Sequence, residues 1–535
     1  MENKATDLVL NNIKTDDVTL LIQLFEKQNK IIEDSKEQLI KKDQTIEALT
    51  NQITLLNEKL DYFTRKFFGS SKETLSEEVS GQLSLDLFEE SSSSLPVEEE
   101  ETEVKAHTRK KKGTKAKKLA DLPQKEVHHE LSEDERQCPK CGHLMIDMGT
   151  RKIRDEIAFH QAKLESLQHI QHSYCCKDCE RLGDTSIRKA VVPKPLINNS
   201  LGSSSIVAET IRQKFEMNTP AYRQIKYWES LGLDITRENI VNWHSLVSHE
   251  YLSLLVDRFH QCLLEEDVAY ADETPYRVIR SSNKKTYYWV FSSLKMIEHP
   301  VVIYHHDESR SHEVPQQFFK GFGGYLHCDG YSGYDTLPDV LPVRCLAHVR
   351  RKFFEAIPQK KGKKESLAAQ VVQQMKKLFD LEKKWISLSP DERVMKRRLE
   401  LRPAFNQVYD LIGTISAVPK SKLEKAVHYA CKYRGDLERV FEDGRLELTN
   451  NQSERYVKQL VMTRKNCLFS TSLKGAQASG HILSVIETAK TNGLNSTKYL
   501  EYLFNELPNL PVLTPEVLDA YLPWSEKVQN KCKLI

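Results

Sequence analysis

The amino-acid sequence predicts a multidomain α+β protein: a long N-terminal helix and a cysteine-clustered module come first, then a helical segment and a strand-bearing core split by a helical insertion. Three observations carry this. Apolar residues recur every seven positions from Val18 to Leu60, and five of the eleven cysteines crowd between Cys138 and Cys179. The hydrophobic period changes from helical to strand-like near Asp267 and returns to helical beyond about residue 348. At 535 residues the chain has the length of three or four domains of roughly 100–200 residues each.

Residues 1–70 carry the heptad row Val18, Phe25, Ile32, Leu39, Ile46, Ile53 and Leu60, with Leu21, Leu49, Leu56 and Phe63 three positions later. This is a coiled-coil pattern. Gln28, Ser35 and Lys42 make the companion row polar in its first half, which leaves a lone amphipathic helix as the alternative. Seven strict repeats exceed what a globular surface helix shows, so a homo-oligomer is expected, a dimer being the simplest case. Residues 71–120 read as a disordered linker, with Ser91–Ser94, an acidic run Glu98–Glu101 and seven positive charges in the ten residues 109–118. That basic stretch suits phosphate contact, or else a solvated linker.

Residues 121–185 hold two Cys-x-x-Cys knuckles, Cys138/Cys141 and Cys176/Cys179, separated by 34 residues. Each spacing lets two thiolates converge on one tetrahedral ion, so one structural Zn²⁺ is expected. Cys175 is an alternative to Cys176 as the third ligand. With four thiols available, His143, His160, His169 and His172 read as surface or supporting residues. Residues 198–262 read as helical, with Gly232 ending one helix and Thr236 capping the next. Helix, short turn, helix is the outline of a helix-turn-helix and equally of a helical spacer.

The core's first part is 263–347. Asp267–Asp272, Thr286–Ser292, Val301–Tyr304, Tyr325–Asp329 and Val343–Ala347 read as strands, with a helix at Ser311–Phe319. Carboxylates on the first strand and at the end of the fourth, in a β-β-β-α-β-α-β order, are the ribonuclease-H-like arrangement, which brings Asp272 and Asp329 together. A two-metal site needs a third carboxylate. Glu454, in the first turn of a helix opening at Asn450-Asn451, is the candidate, although an exposed acid at a helix N-terminus is the ordinary alternative. Residues 348–445 read as a helical insertion, 446–500 as the core's second part and 501–535 as a C-terminal tail.

Asp272-Glu273-Thr274-Pro275, Asp329-Gly330-Tyr331, the segment CLAHVRRKFFE at 345–355, NNQSER at 450–455 and the run Thr463–Phe469 occur in this order. In these motifs the chain resembles the insertion-sequence transposases of the IS sixty-six family, and the resemblance extends to the zinc module, the helices around Tyr222-Arg223-Gln224 and Leu522-Pro523-Trp524. It departs at Cys467, where tryptophan is more usual, and at Thr449, where Asp is common. The resemblance implies an RNase H-like core with the triad Asp272, Asp329 and Glu454 holding two Mg²⁺ (or Mn²⁺), acting on transposon-end and target DNA. It also implies small accessory proteins of the same element and a bacterial cytoplasmic, nucleoid-associated location. A nuclease or resolvase on the same fold, and a non-catalytic DNA-binding descendant, are the alternatives.

Charge agrees with a nucleic-acid partner only locally. The chain as a whole balances 78 Lys/Arg against 76 Asp/Glu, whereas Arg344–Arg402 alone holds 17 basic and 7 acidic residues, a net of +10. Arg350, Arg351 and Lys352, with Arg455, Arg464 and Lys465 beyond Glu454, are best placed to hold phosphates. The cluster His305-His306-Asp307-Glu308 reads as a polar strand end and not a metal site. His348 reads equally as a proton-transfer or phosphate-contacting residue and as a structural histidine. No GxxxxGK[ST] loop suggests ATP use, and no apolar run reaches a membrane span or a signal-peptide core.

Overall fold

The computed structural model describes residues 15–68, 163–175, 187–358 and 366–534. The linker with its basic stretch and the cysteines Cys138, Cys141, Cys176 and Cys179 lie outside the described residues. Helices outnumber strands among those described, in a mixed α and β chain. No helix there is long and apolar enough to cross a membrane.

Helix α1 (Thr15–Phe68) is one continuous helix of 54 residues. Its heptad residues Phe25, Ile32, Leu39, Ile46 and Ile53 are all more than half exposed. Strands β1 (Ser173–Cys175) and β2 (Ile187–Lys189) pair antiparallel. Helices α2 (Ser204–Phe215), α3 (Ala221–Ser230) and α4 (Arg237–Val247) follow, and a π turn leads into α5 (Ser253–Leu264). Gly232 takes φ +84° after α3, a conformation that favours glycine. Thr236 caps α4 through a reciprocal pair of hydrogen bonds with Asn239, as its position predicts.

Five strands come next: β3 (Val268–Tyr276), β4 (Thr286–Ser293), β5 (Val302–Asp307) and, after α6 (Glu313–Phe318), β6 (Tyr325–Cys328) and β7 (Leu341–Arg344). Their hydrogen-bonded order is β5-β4-β3-β6-β7. The fifth strand is displaced from its expected place at 343–347, because Cys345 becomes the N-cap of helix α7 (Leu346–Glu355). His305 and His306 lie at the end of β5, and His306 Nε2 meets Thr286 Oγ1 at 2.9 Å.

The insertion contains α8 (Leu367–Lys384), α9 (Pro390–Lys396), α10 (Arg402–Gly413), α11 (Lys422–Lys432) and α12 (Arg434–Glu438). A π turn at Arg397–Leu401 joins α9 to α10 just before Pro403, which has no N–H to continue the regular ladder. Tyr433, whose ψ of 14° ends α11, separates it from α12. Arg397 is fully buried against Glu382 and also donates to the carbonyls of Val440 and Leu446, which pins the end of the insertion. Then come α13 (Asn451–Cys467), α14 (Leu473–Thr491), α15 (Ser496–Glu506), α16 (Pro515–Asp519) and α17 (Glu526–Cys532).

The chain forms two compact units that share β3 and α13. The first takes Met1–Glu89, Asp267–Asp272 and Ser311–Glu454, the second Glu90–Glu266, Glu273–Arg310 and Arg455–Ile535. In the second unit α14 covers the edge strand β5. Thr488 Oγ1 accepts from Val302 N at 3.0 Å and Ser484 Oγ accepts from Tyr304 N at 2.8 Å, so side chains satisfy a strand edge that would otherwise stay open. Gly480 permits this approach, since a β-carbon there would sit 2.5 Å from the Tyr304 carbonyl oxygen.

Candidate active site

The first unit collects the three carboxylates. Strands β3 and β6 run parallel with Val268 opposite Tyr325, Ala269 opposite Leu326 and Tyr270 opposite His327. Continued by two residues, past the end of β6, this register would set Asp272 beside Asp329, β3 and β6 being neighbouring strands roughly 4.8 Å apart. Their shared face follows from the pleat. The Tyr270 and His327 rings stack with centroids 4.5 Å apart, so they lie on one face, and the residues two positions on return to that face.

Asp329 sits just beyond β6, and its side chain is fixed by a hydrogen bond from the Tyr331 backbone N–H to Oδ1 at 2.9 Å. The insertion supplies the rest of its support. A β-carbon on Gly330 would meet the Tyr429 hydroxyl oxygen at 2.4 Å, so this turn requires glycine. Tyr433 donates its hydroxyl to the Gly330 carbonyl at 3.1 Å. Burial, and next the Asp329 charge, push the Tyr429 phenol well above its ordinary value.

Arg344, fully buried at the end of β7, binds this loop from beneath. Its guanidinium donates to the Asp329 carbonyl and the Asp335 carboxylate, reaches Asp436 at 3.3 Å and lies 4.7 Å from the Tyr433 ring centre. Burial opposes its charge, but Cys328, Asp335 and Asp436 more than offset that, so Arg344 stays a cation.

Glu454 is carried by the start of α13, which is tied to the neighbouring strands. The Leu346 N–H bonds to the Leu448 carbonyl at 2.9 Å, and the Glu447 N–H bonds to His327 Nε2 at 3.1 Å. Asn450 then locks the helix start: Nδ2 donates to the Ala271 carbonyl at 3.1 Å and its backbone N–H meets Cys345 Sγ at 3.2 Å. Thr449 to Ser453 are all buried; the two Asn450 donors are paired, whereas Asn450 Oδ1, Asn451 Oδ1 and Ser453 Oγ are buried without a hydrogen-bond partner. Glu454, one turn on, is half-buried, and its Oε1 has no hydrogen-bond partner. The nearest charge is His348, whose Nε2 lies 3.7 Å from that oxygen. Burial lowers the basicity of His348, yet Cys345 and Glu454 outweigh it and hold the imidazole at about 9. An all-oxygen donor set suits a hard divalent cation, but Asp272, Asp329 and Glu454 do not converge within 4.8 Å of one another as Cys345, His348 and Glu454 do.

The basic residues divide. Arg350, Arg351 and Lys352 are half-buried on α7; burial lowers the Arg350 pKa, its Nε has no partner, and Lys352 lies 4.5 Å from the Tyr429 ring centre. In the second unit Arg455 and Lys465 are exposed, whereas Arg464 donates to the Pro275 carbonyl at the end of β3. The roles of Arg344, Tyr429 and Tyr433, and the bond from Asn450 to Ala271, escaped the sequence reading, because the partners lie up to 179 positions away. The one signal available was Cys-x-x-His at 345–348, which puts two ligand-type side chains on one face of a helix turn.

Four family models match the chain. "Transposase IS66 family" matches residues 199–478, "zinc-finger binding domain of transposase IS66" 135–180, "Transposase C of IS166 homeodomain" 55–127 and "IS66 C-terminal element" 484–524. The zinc-finger match spans all four knuckle cysteines. Among similar proteins, uncharacterized protein y4jD of Sinorhizobium fredii (strain NBRC 101917 / NGR234) is 25% identical over 509 residues, covering 91% of this chain and 97% of its own. Uncharacterized protein y4hP of the same organism is 24% identical over 414 residues, 73% of each chain. The principal model covers more than half of the sequence, and with it the Asp272, Asp329 and Glu454 motifs in order, so this chain belongs to the IS66 family of transposases.

Proposed function

We propose that the chain cleaves DNA at the ends of its insertion sequence and joins the freed 3′-hydroxyl to target DNA, with Asp272, Asp329 and Glu454 as catalytic residues on an RNase H-like sheet. What supports this reading is the β3/β6 register, which continued by two residues would align the two aspartates, together with the Asn450 bond to the Ala271 carbonyl at the start of the helix that carries Glu454. Two Mg²⁺ (or Mn²⁺) ions held by these carboxylates would supply an activated oxygen nucleophile and stabilise the leaving oxygen. Arg344 lies beneath the loop and binds the Asp329 carbonyl, not its carboxylate, which leaves the latter's second oxygen available.

Arg350, Arg351, Lys352, Arg455, Arg464 and Lys465 contact phosphates in this reading, and α3–α4 with the zinc module recognise the element's ends. Cys138, Cys141, Cys176 and Cys179 hold one structural Zn²⁺. Helix α1 pairs subunits as a coiled coil, since its apolar seam is exposed within one chain. Small proteins of the same element assist, and the complex works in the bacterial cytoplasm at the nucleoid.

A strand-transfer assay with pre-nicked element ends tests the proposal. Joining to a target plasmid in Mg²⁺ is expected. Cleavage without joining would make the protein a nuclease or resolvase, and binding without either would make it a non-catalytic DNA-binding protein.

A further inference from the structure

Beside the all-carboxylate set lies a second donor group of different chemistry. Cys345, His348 and Glu454 each present one ligand atom, and all three atoms lie within 4.8 Å of one another. Among the described residues they are the single group of three or more His, Cys, Asp or Glu residues that converge in this way. Cys345 caps α7 and His348 stands three positions on, so one helix turn presents both. Glu454 arrives in the first turn of α13. Anionic ligands at two helix N-termini are favoured by the helix dipoles.

The distances suit a small ion. Zinc bond lengths near 2.0 Å to nitrogen or oxygen and 2.3 Å to sulfur put neighbouring ligand atoms about 3.3–3.7 Å apart around a tetrahedron. The His348 Nε2 to Glu454 Oε1 separation is already 3.7 Å. That is long for a hydrogen bond and right for two ligands of one ion. A further observation points to a missing partner: Glu454 Oε1 is buried with nothing to accept from. The supporting shell is in place, because the Asn450 N–H bonds to Cys345 Sγ at 3.2 Å and would steady a thiolate. Cys345 is buried while His348 and Glu454 are partly open, which leaves a coordination position for water or for a phosphate oxygen.

We infer that Cys345, His348 and Glu454 bind one borderline-soft divalent cation of the zinc class, through sulfur, nitrogen and oxygen. Softness separates it from the hard-ion site: Mg²⁺ has no use for a thiolate, and Zn²⁺ prefers one. The two sites share Glu454. An ion held by Cys345 and His348 draws that carboxylate away from the aspartates, so zinc antagonises magnesium-supported cleavage. This consequence rests on the catalytic assignment of Glu454; the binding site does not.

The test uses the full-length protein with its zinc module loaded and loosely held metal removed, without DNA, and cobalt(II) as the probe. One equivalent of cobalt is expected to give a thiolate-to-cobalt charge-transfer band that zinc abolishes by displacement. Cys345→Ser should lose the band, and His348→Gln should bind at least about 100-fold more weakly. Glu454→Gln, at a partly exposed carboxylate, should weaken binding too, and decides the matter with His348→Gln if Cys345→Ser does not fold. A band of equal strength in Cys345→Ser, or wild-type affinity in both other variants, would overturn the site, since the cobalt would then sit on the module's cysteines. In a separate cleavage assay, zinc at stoichiometric excess should suppress the Mg²⁺ reaction and chelation should restore it. Cobalt binding without such suppression would refute the shared carboxylate alone, and an inactive protein that still binds cobalt would refute only the catalytic reading.

Discussion

Tyr429 of the insertion lies against Gly330 so closely that a β-carbon on the glycine would sit 2.4 Å from the tyrosine oxygen and 2.5 Å from its ring. The insertion is therefore part of the candidate site's scaffold and not an appendage to it. Gly330→Ala forces these atoms apart, which should cost about 1–3 kcal/mol of stability and displace Asp329. Thermal unfolding and end cleavage in Gly330→Ala, Tyr429→Ala and the double variant would check this. The double variant is expected to recover part of what Gly330→Ala loses.

Arg344 gives a second test of the same support. Arg344→Met leaves Asp335 and Asp436 without their buried cation. A loss of about 3 kcal/mol is expected, the low end for breaking a buried pair, because both carboxylates keep access to water. End cleavage should fall at least tenfold while affinity for end DNA is unchanged. Denaturant unfolding and filter binding measure the two effects independently.

What the sequence revealed here followed from local chemistry. The period change located the strands, Thr236 and Gly232 marked helix ends, and Asn450-Asn451 marked the start of the helix that carries Glu454. Cys345 was misplaced on a strand because Val343 to Ala347 is uniformly apolar apart from Arg344, and such a run does not distinguish a strand end from a buried helix start. The network around Asp329 was invisible. Arg344 meets Asp436 across 92 positions, and no periodicity encodes a pairing over that distance.

Acid should weaken the second unit. Burial, then the nearby His249 and His305, lower His481 to about 4, and burial likewise lowers His306 to about 4. A depressed folded pKa contributes stability that is complete above the unfolded value near 6.5 and is lost as pH falls towards 4. The fall for His481 should reach roughly 3 kcal/mol at most. Melting temperature against pH should drop from 6.5 to 4 in the wild type and drop less in His481→Gln.

Helix α1 should govern assembly. Ile46 and Ile53 are 61% and 58% exposed in the single chain, and a charge at either position destroys a coiled-coil seam. Ile46→Asp/Ile53→Asp is expected to sediment as a monomer while the wild type sediments as an oligomer. Equal masses for the two by light scattering would assign α1 another role.

The central claim is that Asp272, Asp329 and Glu454 form one metal-dependent site for breaking DNA. Its most direct measurement is nicking of element-end DNA in Mg²⁺ by Asp329→Asn, beside the same protein's affinity for that DNA. Removing one charge at constant shape should abolish nicking and leave binding within about twofold. Nicking at the wild-type rate by Asp329→Asn would contradict the account.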